Sequence, residues 1–218
     1  MSRLRVHNFV VTLDGFATGD DQTLEEPFGT AQDEFLPWFG RARVWRPEFR
    51  PGGTTLAPSA TESIASAWGA GFGADIMGRR MYHSGPGPWS HEDWRGFWGE
   101  EPPFGTPVFV MTHWEQQPLS VGHSTFHFVG GTPAEVLKRA QEAADGKDVR
   151  LCGGPSTVAA FLAADLVDYL HVIQIPIVLG HGIRLWDGLD DLHRRYAVES
   201  LVLPNGTTHL FFTKNADI

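Results

Sequence analysis

Hydrophobic and polar positions along the chain switch between a period of two and a helical period, and the switches divide it into alternating strands and helices. "LRVHNFVVTL" (4–13) is β-branched and aromatic and stops at Asp14-Gly15, a turn signal, so it reads as a central first strand. "ADIMGRRMY" (74–82) is a short strand running into Gly-Arg, and "TPVFVMTH" (106–113), "STFHFV" (124–129) and "DVRLC" (148–152) are further strands. "TPAEVLKRAQEAAD" (132–145) predicts a helix with Thr132 as N-cap, Pro133 at its first position and Glu135 completing a capping box. A second helix is expected over "PSTVAAFLAA" (155–164), and a capped one over "ATESIASAWGAGF" (60–72) from Thr61. "AQDEFLPWFGRARVW" (31–45) starts amphipathic and is broken by Pro37, while 46–60 and 83–105 are rich in Pro and Gly and read as long loops. "DYLHVIQIPIVL" (168–179), "LHRRYAVESLVL" (192–203) and "PNGTTHLFFTK" (204–214), with its Asn-Gly turn, close the chain as apolar or alternating segments. The pattern predicts one mixed α/β domain over residues 1–218, with no internal repeat.

Composition narrows the function classes. With 42% hydrophobic and 20% charged residues the chain is ordinary for a globular protein. Its 17 basic and 26 acidic residues give a formal charge of −9, which disfavours nucleic acid and anionic membranes as partners. Cys152 is the only cysteine, so an intramolecular disulfide is excluded and a reducing cytoplasm is the expected compartment. The apolar run near the start is broken by Asp14 before a signal peptide core is complete, and no stretch approaches a membrane span. Of ten histidines, the one pair four apart, His123 and His127, lies on a strand-like segment, so no metal site is expected.

Three strand ends carry candidate chemistry. After "DVRLC", Gly153 and Gly154 allow a sharp turn and Pro155 opens the helix. The helix N-terminus offers amides and a positive dipole end to an anion, with Ser156 and Thr157 as added hydroxyls; the alternative is a plain strand-to-helix turn. "ADIM" ends at Gly78-Arg79-Arg80, either a cationic anion site or a solvated turn, and "PVFVM" ends at Thr112-His113. In an α/β sheet ligands bind beyond the carboxyl ends of strands, so the three ends together suit a dinucleotide carrying an extra phosphate.

"VVTLDGFA", "DIMGRRMY", "TPVFVMTH" and "DVRLCGGPSTVAAFLAADLVDYLHVIQIPIVLGHGIRLW", in this order over roughly residues 4–213, resemble the dihydrofolate reductase-like superfamily. More narrowly, they resemble stand-alone proteins similar to the reductase domain of the riboflavin-biosynthesis deaminase-reductase. The resemblance implies a mixed, mostly parallel central sheet flanked by helices with a C-terminal antiparallel strand pair. It also implies NADPH bound across the strand ends and hydride transfer to a small pterin- or pyrimidine-like substrate, of which 5-amino-6-(5-phosphoribosylamino)uracil is the family's. By position it implies that Gly78, Arg79 and Arg80 contact the NADPH phosphates, Arg79 above all the 2′-phosphate. Thr112 and His113 then lie beside the adenosine and its 2′-phosphate. Gly153, Gly154, Ser156 and Thr157 form the pyrophosphate loop, with a cis peptide between the glycines, and Val10, Val11, Ala17 and Thr18 pack on the nicotinamide. Asp14 matches an aspartate near the substrate, a catalytic candidate whose other reading is turn-making.

The departures shape the substrate expectation. Met81 stands where dihydrofolate reductases place a threonine, and neither Asp33 nor Glu34 aligns with a pterin-binding carboxylate. Residues 6–40 hold no Lys or Arg but contain Asp14, Asp20, Asp21, Glu25, Glu26, Asp33 and Glu34, so an uncharged or cationic substrate is expected over a phosphorylated one. Trp38, Trp89, Trp94 and Trp98 either wall a planar ring or pack loops. The apolar 170–186 segment serves either the core or the homodimer interface common in the superfamily. The rival to a reductase is a catalytically silent nucleotide-binding module of the same fold.

Overall fold

The computed structural model describes residues 2–36, 71–85, 87–89 and 93–216. The expected break at Pro37, the 46–60 loop, nearly all of the 60–72 helix and Trp38 lie outside them. In chain order the elements are β1 (Leu4–Thr12), β2 (Phe16–Thr18), β3 (Phe72–Gly78), α1 (Arg79–Tyr82), β4 (Pro107–Met111), β5 (Leu119–Val121), β6 (Ser124–Val129) and α2 (Pro133–Ala143). There follow β7 (Asp148–Gly153), α3 (Pro155–Ala163), β8 (Tyr169–Ile175), β9 (Ile183–Arg184), α4 (Leu192–Arg195), β10 (Tyr196–Val202) and β11 (Thr208–Lys214). A 3-10 turn at Gly29–Ala31 leads into helical residues 32–36.

One nine-stranded sheet runs β10-β11-β8-β1-β7-β3-β4-β6-β5, and β2 and β9 form a small ribbon. From β8 to β6 every neighbouring pair is parallel, while β5 and the C-terminal pair β10–β11 are antiparallel. The mostly parallel sheet with an antiparallel C-terminal pair is the expected architecture. Parallel strands need cover on both faces. One face carries the larger core, in which Val136 and Leu137 of α2 and Val158, Phe161 and Leu162 of α3 pack with Leu4, Val6, Ile76 and Leu151. A second cluster gathers Met77, Tyr82, Phe104, Phe126 and Phe128 under Trp89, Trp94 and Trp98, so these tryptophans pack the 83–105 loop onto the sheet. Two of them are pinned as well: Trp94 Nε1 donates to the Tyr82 carbonyl at 2.7 Å and Trp89 Nε1 to that of Trp114 at 2.6 Å. Within 170–186, Val172, Ile173, Ile175 and Leu185 are core residues, whereas Val178 is 70% exposed. Among the described residues no helix is long and apolar enough to cross a membrane.

Charge is buried in the middle of this sheet. β3 and β7 pair with Asp75 opposite Arg150, and both side chains are almost fully buried. Arg150 Nε donates to Asp75 Oδ1, Thr106 Oγ1 donates to Oδ2, and the Cys152 thiol lies 3.3 Å from Oδ1. Burial opposes the Arg150 charge, but Asp75 more than offsets it and holds the guanidinium above its ordinary pKa.

Three histidines occupy neighbouring strands β1, β8 and β11. His171 Nε2 and His209 Nδ1 are 2.9 Å apart, and both histidines are buried. Burial, then His209 and His7, lowers the His171 pKa to about 3. Burial, with Arg5 and Arg150 nearby, lowers His7 to about 4, and burial lowers His209. The unfolded chain takes up these protons near its ordinary value of 6.5, the native one only at lower pH. Stability is therefore full above pH 6.5 and falls as pH drops towards 4 for His7 and 3 for His171. The expected slope is at most about 1.4 kcal/mol per pH unit for each histidine. Urea unfolding of wild type and His171→Phe across this range checks it: the variant should show a shallower slope, and equal slopes would remove His171 from the account.

Candidate active site

The carboxyl ends of β3, β4, β6 and β7 open into one cavity of about 770 Å³. Its floor is the β7–α3 junction. The Gly153–Gly154 peptide is cis, and Gly153 has φ +135, a conformation that disfavours any side chain. A Cβ on Gly154 would meet nothing within 4 Å, so the cavity comes down onto bare backbone at this point. A Cβ on Gly78 would sit 2.0 Å from Thr157 Oγ1, so glycine there lets the end of β3 close against the start of α3. No side chain caps α3.

The neighbouring helix α2 makes an instructive contrast. Thr132 Oγ1 accepts from the Glu135 amide at 3.3 Å, and the Glu135 carboxylate accepts from the Thr132 amide at 2.8 Å. That hydrogen bond keeps the Glu135 pKa below its usual range. A carboxylate of the chain itself thus answers the dipole of α2, whereas no side-chain cap answers that of α3.

Arg79 and Arg80 both line the cavity but do different things. Arg79 donates to the carbonyls of His83 (3.3 Å), Gly85 and Gly87 (both 2.6 Å), and its guanidinium lies about 5 Å from the ring centres of Trp89 and Trp114. It holds the 83–89 loop in place. Arg80 is exposed, and among the described residues its guanidinium makes one hydrogen bond, a long one of 3.5 Å to Gln22. The Arg79 guanidinium, expected at a phosphate, is thus committed to backbone carbonyls, while that of Arg80 is less engaged. Phe9, Val10, Ala17, Met81, Met111 and Trp98 supply apolar lining to the same cavity.

Of the residues singled out from sequence, Val10, Ala17, Thr18, Gly78, Arg79, Arg80, Thr112, His113, Gly153, Gly154, Ser156 and Thr157 all line this cavity. Val11 and Asp14 do not. Val11 is fully buried in the larger core. Asp14 Oδ1 accepts from Thr12 Oγ1 (2.6 Å) and the Leu179 amide (3.2 Å), and Oδ2 from the Gly180 amide (2.8 Å). Burial raises its pKa by less than these bonds lower it, leaving it at about 2. A carboxylate so committed ties the β1–β2 turn to the loop after β8; the structure supports the turn-making reading and not a catalytic one.

The acidic stretch is also corrected. Asp20, Asp21, Glu25, Glu26, Asp33 and Glu34 are exposed, and this segment gives the cavity Gln22, Pro27, Phe28 and Leu36 instead. Among the described residues no carboxylate lines the cavity, so repulsion by this stretch is no argument about the substrate. Sequence reasoning passed over Asn8, Met111, Trp114, Gly130 and Gly131, which line the cavity too. A signal for the glycines was present: "FVGGTP" repeats the strand, Gly-Gly, proline order of "LCGGP".

Residues 106–208, from the start of β4 into β11, match the family model of the RibD C-terminal domain. No curated protein sequence matches the chain. Among solved structures, a candidate riboflavin biosynthesis protein from Shewanella sp. PV-4 aligns with a TM-score of 0.59 at 17% identity, over 99% of this chain and 100% of that one. A pyrimidine reductase-like protein from Corynebacterium diphtheriae gives 0.51 at 15% identity, over 99% and 93%. A diaminohydroxyphosphoribosylaminopyrimidine deaminase/5-amino-6-(5-phosphoribosylamino)uracil reductase from Thermotoga maritima gives 0.51 at 13% identity, over 98% of this chain and 57% of that one. At these identities the likeness to solved structures is one of fold, and together with the family match it makes the chain similar to the RibD reductase domain.

Proposed function

We propose that the chain is an NADPH-dependent reductase that delivers hydride to a small, planar pterin- or pyrimidine-like heterocycle. One observation carries the reading: a helix N-terminus left uncapped, a glycine whose Cβ direction is empty and an exposed arginine share one cavity with an apolar wall. Pyrophosphate fits the floor at Gly153 and Gly154 with the start of α3, and a 2′-phosphate fits Arg80. NADPH, when bound, supplies the hydride. The chain's own part is positional. Ser156 and the α3 dipole hold negative charge, Phe9, Val10, Ala17 and Met81 keep water from the reacting rings, and Met111 and Trp98 extend the apolar wall. With no carboxylate among the described lining residues, water or a lining hydroxyl is the proton source proposed for reduction of a C=N bond.

That missing carboxylate is also the observation that favours the second reading, a nucleotide-binding module without turnover. Loss of nicotinamide absorbance with uncharged aminopyrimidines and pterins, compared with the phosphoribosylated aminouracil, separates them. The reductase reading expects turnover of at least one member of this panel; saturable NADPH binding with no turnover across the panel supports the silent module.

Cofactor preference gives a second test. Arg80→Ala should weaken NADPH by about tenfold, the worth of one charge-assisted hydrogen bond, and leave NADH nearly unchanged. Arg79→Ala should weaken both equally and lower the melting temperature, because it frees the 83–89 loop. Calorimetric titration of both variants with both cofactors distinguishes the roles, and a selective NADPH loss in Arg79→Ala would restore the role first expected of it.

A further inference from the structure

Asn8 interrupts β1 in two ways. The pairing of β1 with β8 shifts register between Val6 and Phe9, and Asn8 within that shift has φ +55. Its backbone amide donates to His171 Nδ1 at 3.3 Å, but its carboxamide is engaged by nothing: Oδ1 and Nδ2 are both buried without a hydrogen-bond partner. The residue is 6% exposed and lies in the cavity wall. Thr18, in the same wall and 5% exposed, has a buried and unpartnered Oγ1. The apolar Phe9, Val10 and Ala17 share that lining. Buried polar atoms normally find partners, so two such side chains on one cavity wall mark the place where a ligand supplies them.

We propose that the Asn8 carboxamide, with Thr18 Oγ1 in the same cavity lining, is the specificity-determining contact of this site and pairs with a planar, uncharged amide edge of the ligand. A carboxamide presents a donor and an acceptor side by side, and the complementary edge is a carbonyl next to an N–H. Two sources offer that edge: the carboxamide of a nicotinamide and the lactam of a pyrimidine or pterin ring. The inference rests on the reductase reading above and sharpens it to a chemical group.

Asparagine also tolerates positive φ better than most residues, and this supplies the discriminating variant. Glycine accepts that backbone equally well and removes only the carboxamide. Asn8→Gly should melt close to wild type and lose about ten- to a hundredfold in affinity for the amide-bearing ligand. Loss for NADPH but not for 2′-phospho-ADP-ribose, which lacks the nicotinamide, assigns the contact to the cofactor. Loss for 5,6-diaminouracil on the NADP-loaded protein assigns it to the substrate ring. Asn8→Asp, which keeps the shape and removes the donor, should reproduce the loss and serves if the glycine variant does not fold. Wild-type affinity of the folded variants for every probe the wild type binds overturns the proposal and leaves Asn8 a backbone role alone. A wild type that binds neither NADPH nor the fragment overturns the reductase reading, and the Asn8 assignment goes with it.

Discussion

Asp75→Ala is expected to destabilise the protein by about 3–5 kcal/mol, the cost of stripping a buried charge of its counter-ion. Asp75 is fully buried opposite Arg150, itself almost fully buried, and its carboxylate also accepts from Thr106 and meets the Cys152 thiol. Alanine removes all of these at once and leaves the guanidinium charged in the centre of the sheet. For a chain of this size the melting temperature should fall by roughly 6–20 °C. The double variant Asp75→Leu/Arg150→Met should recover most of the loss, because removing both charges removes the desolvation cost along with the attraction. Thermal and urea unfolding of the three proteins measures this. An alanine variant as stable as wild type would show that the pair is solvated in a way its burial denies.

Gly154→Ala is expected to abolish measurable NADPH binding, a loss of at least about a hundredfold, while the fold stays intact. The two effects separate because of where the new methyl goes. Gly154 has φ −77, which alanine adopts freely, and its Cβ would touch no protein atom within 4 Å. The methyl occupies instead the space above the backbone in which a pyrophosphate must lie to reach the start of α3. Gly153→Ala is a poorer probe, since φ +135 would strain the loop before any ligand arrives. Melting curves and fluorescence titration of Gly154→Ala with NADPH decide the matter, and wild-type affinity in a folded variant would remove this loop from the cofactor site.

Where local chemistry determines structure, the sequence was readable. Thr132, Pro133 and Glu135 announced α2, and the capping box forms as its spacing requires. Gly153, Gly154 and Pro155 announced the β7–α3 turn, and Gly78-Arg79 the end of β3. What could not be read depends on partners distant in sequence. Asp75 and Arg150 each looked like one charge in an apolar run; only the register of β3 on β7 makes them a pair. The β2–β9 ribbon joins three residues to two, too few for any period to show. The segment 192–203 looked uniform, yet α4 ends and β10 begins between Arg195 and Tyr196, where the Tyr196 hydroxyl donates to the Val167 carbonyl at 2.7 Å. Asn8 was hidden inside an otherwise regular strand pattern, because a shift in register leaves little trace in hydropathy. Arg79 and Arg80 are adjacent and chemically identical, and only the fold of the loop after α1 commits the Arg79 guanidinium to backbone carbonyls and not that of Arg80.

The central claim is that the strand ends and the uncapped start of α3 form an NADPH site. Calorimetric titration of the wild-type protein with NADPH and, separately, with NADH tests it most directly. The account predicts saturable binding of one NADPH per chain and an NADH affinity about tenfold weaker or worse, the gap closing as salt is raised. Absence of saturable NADPH binding, or equal affinity for the two cofactors at low salt, would contradict it.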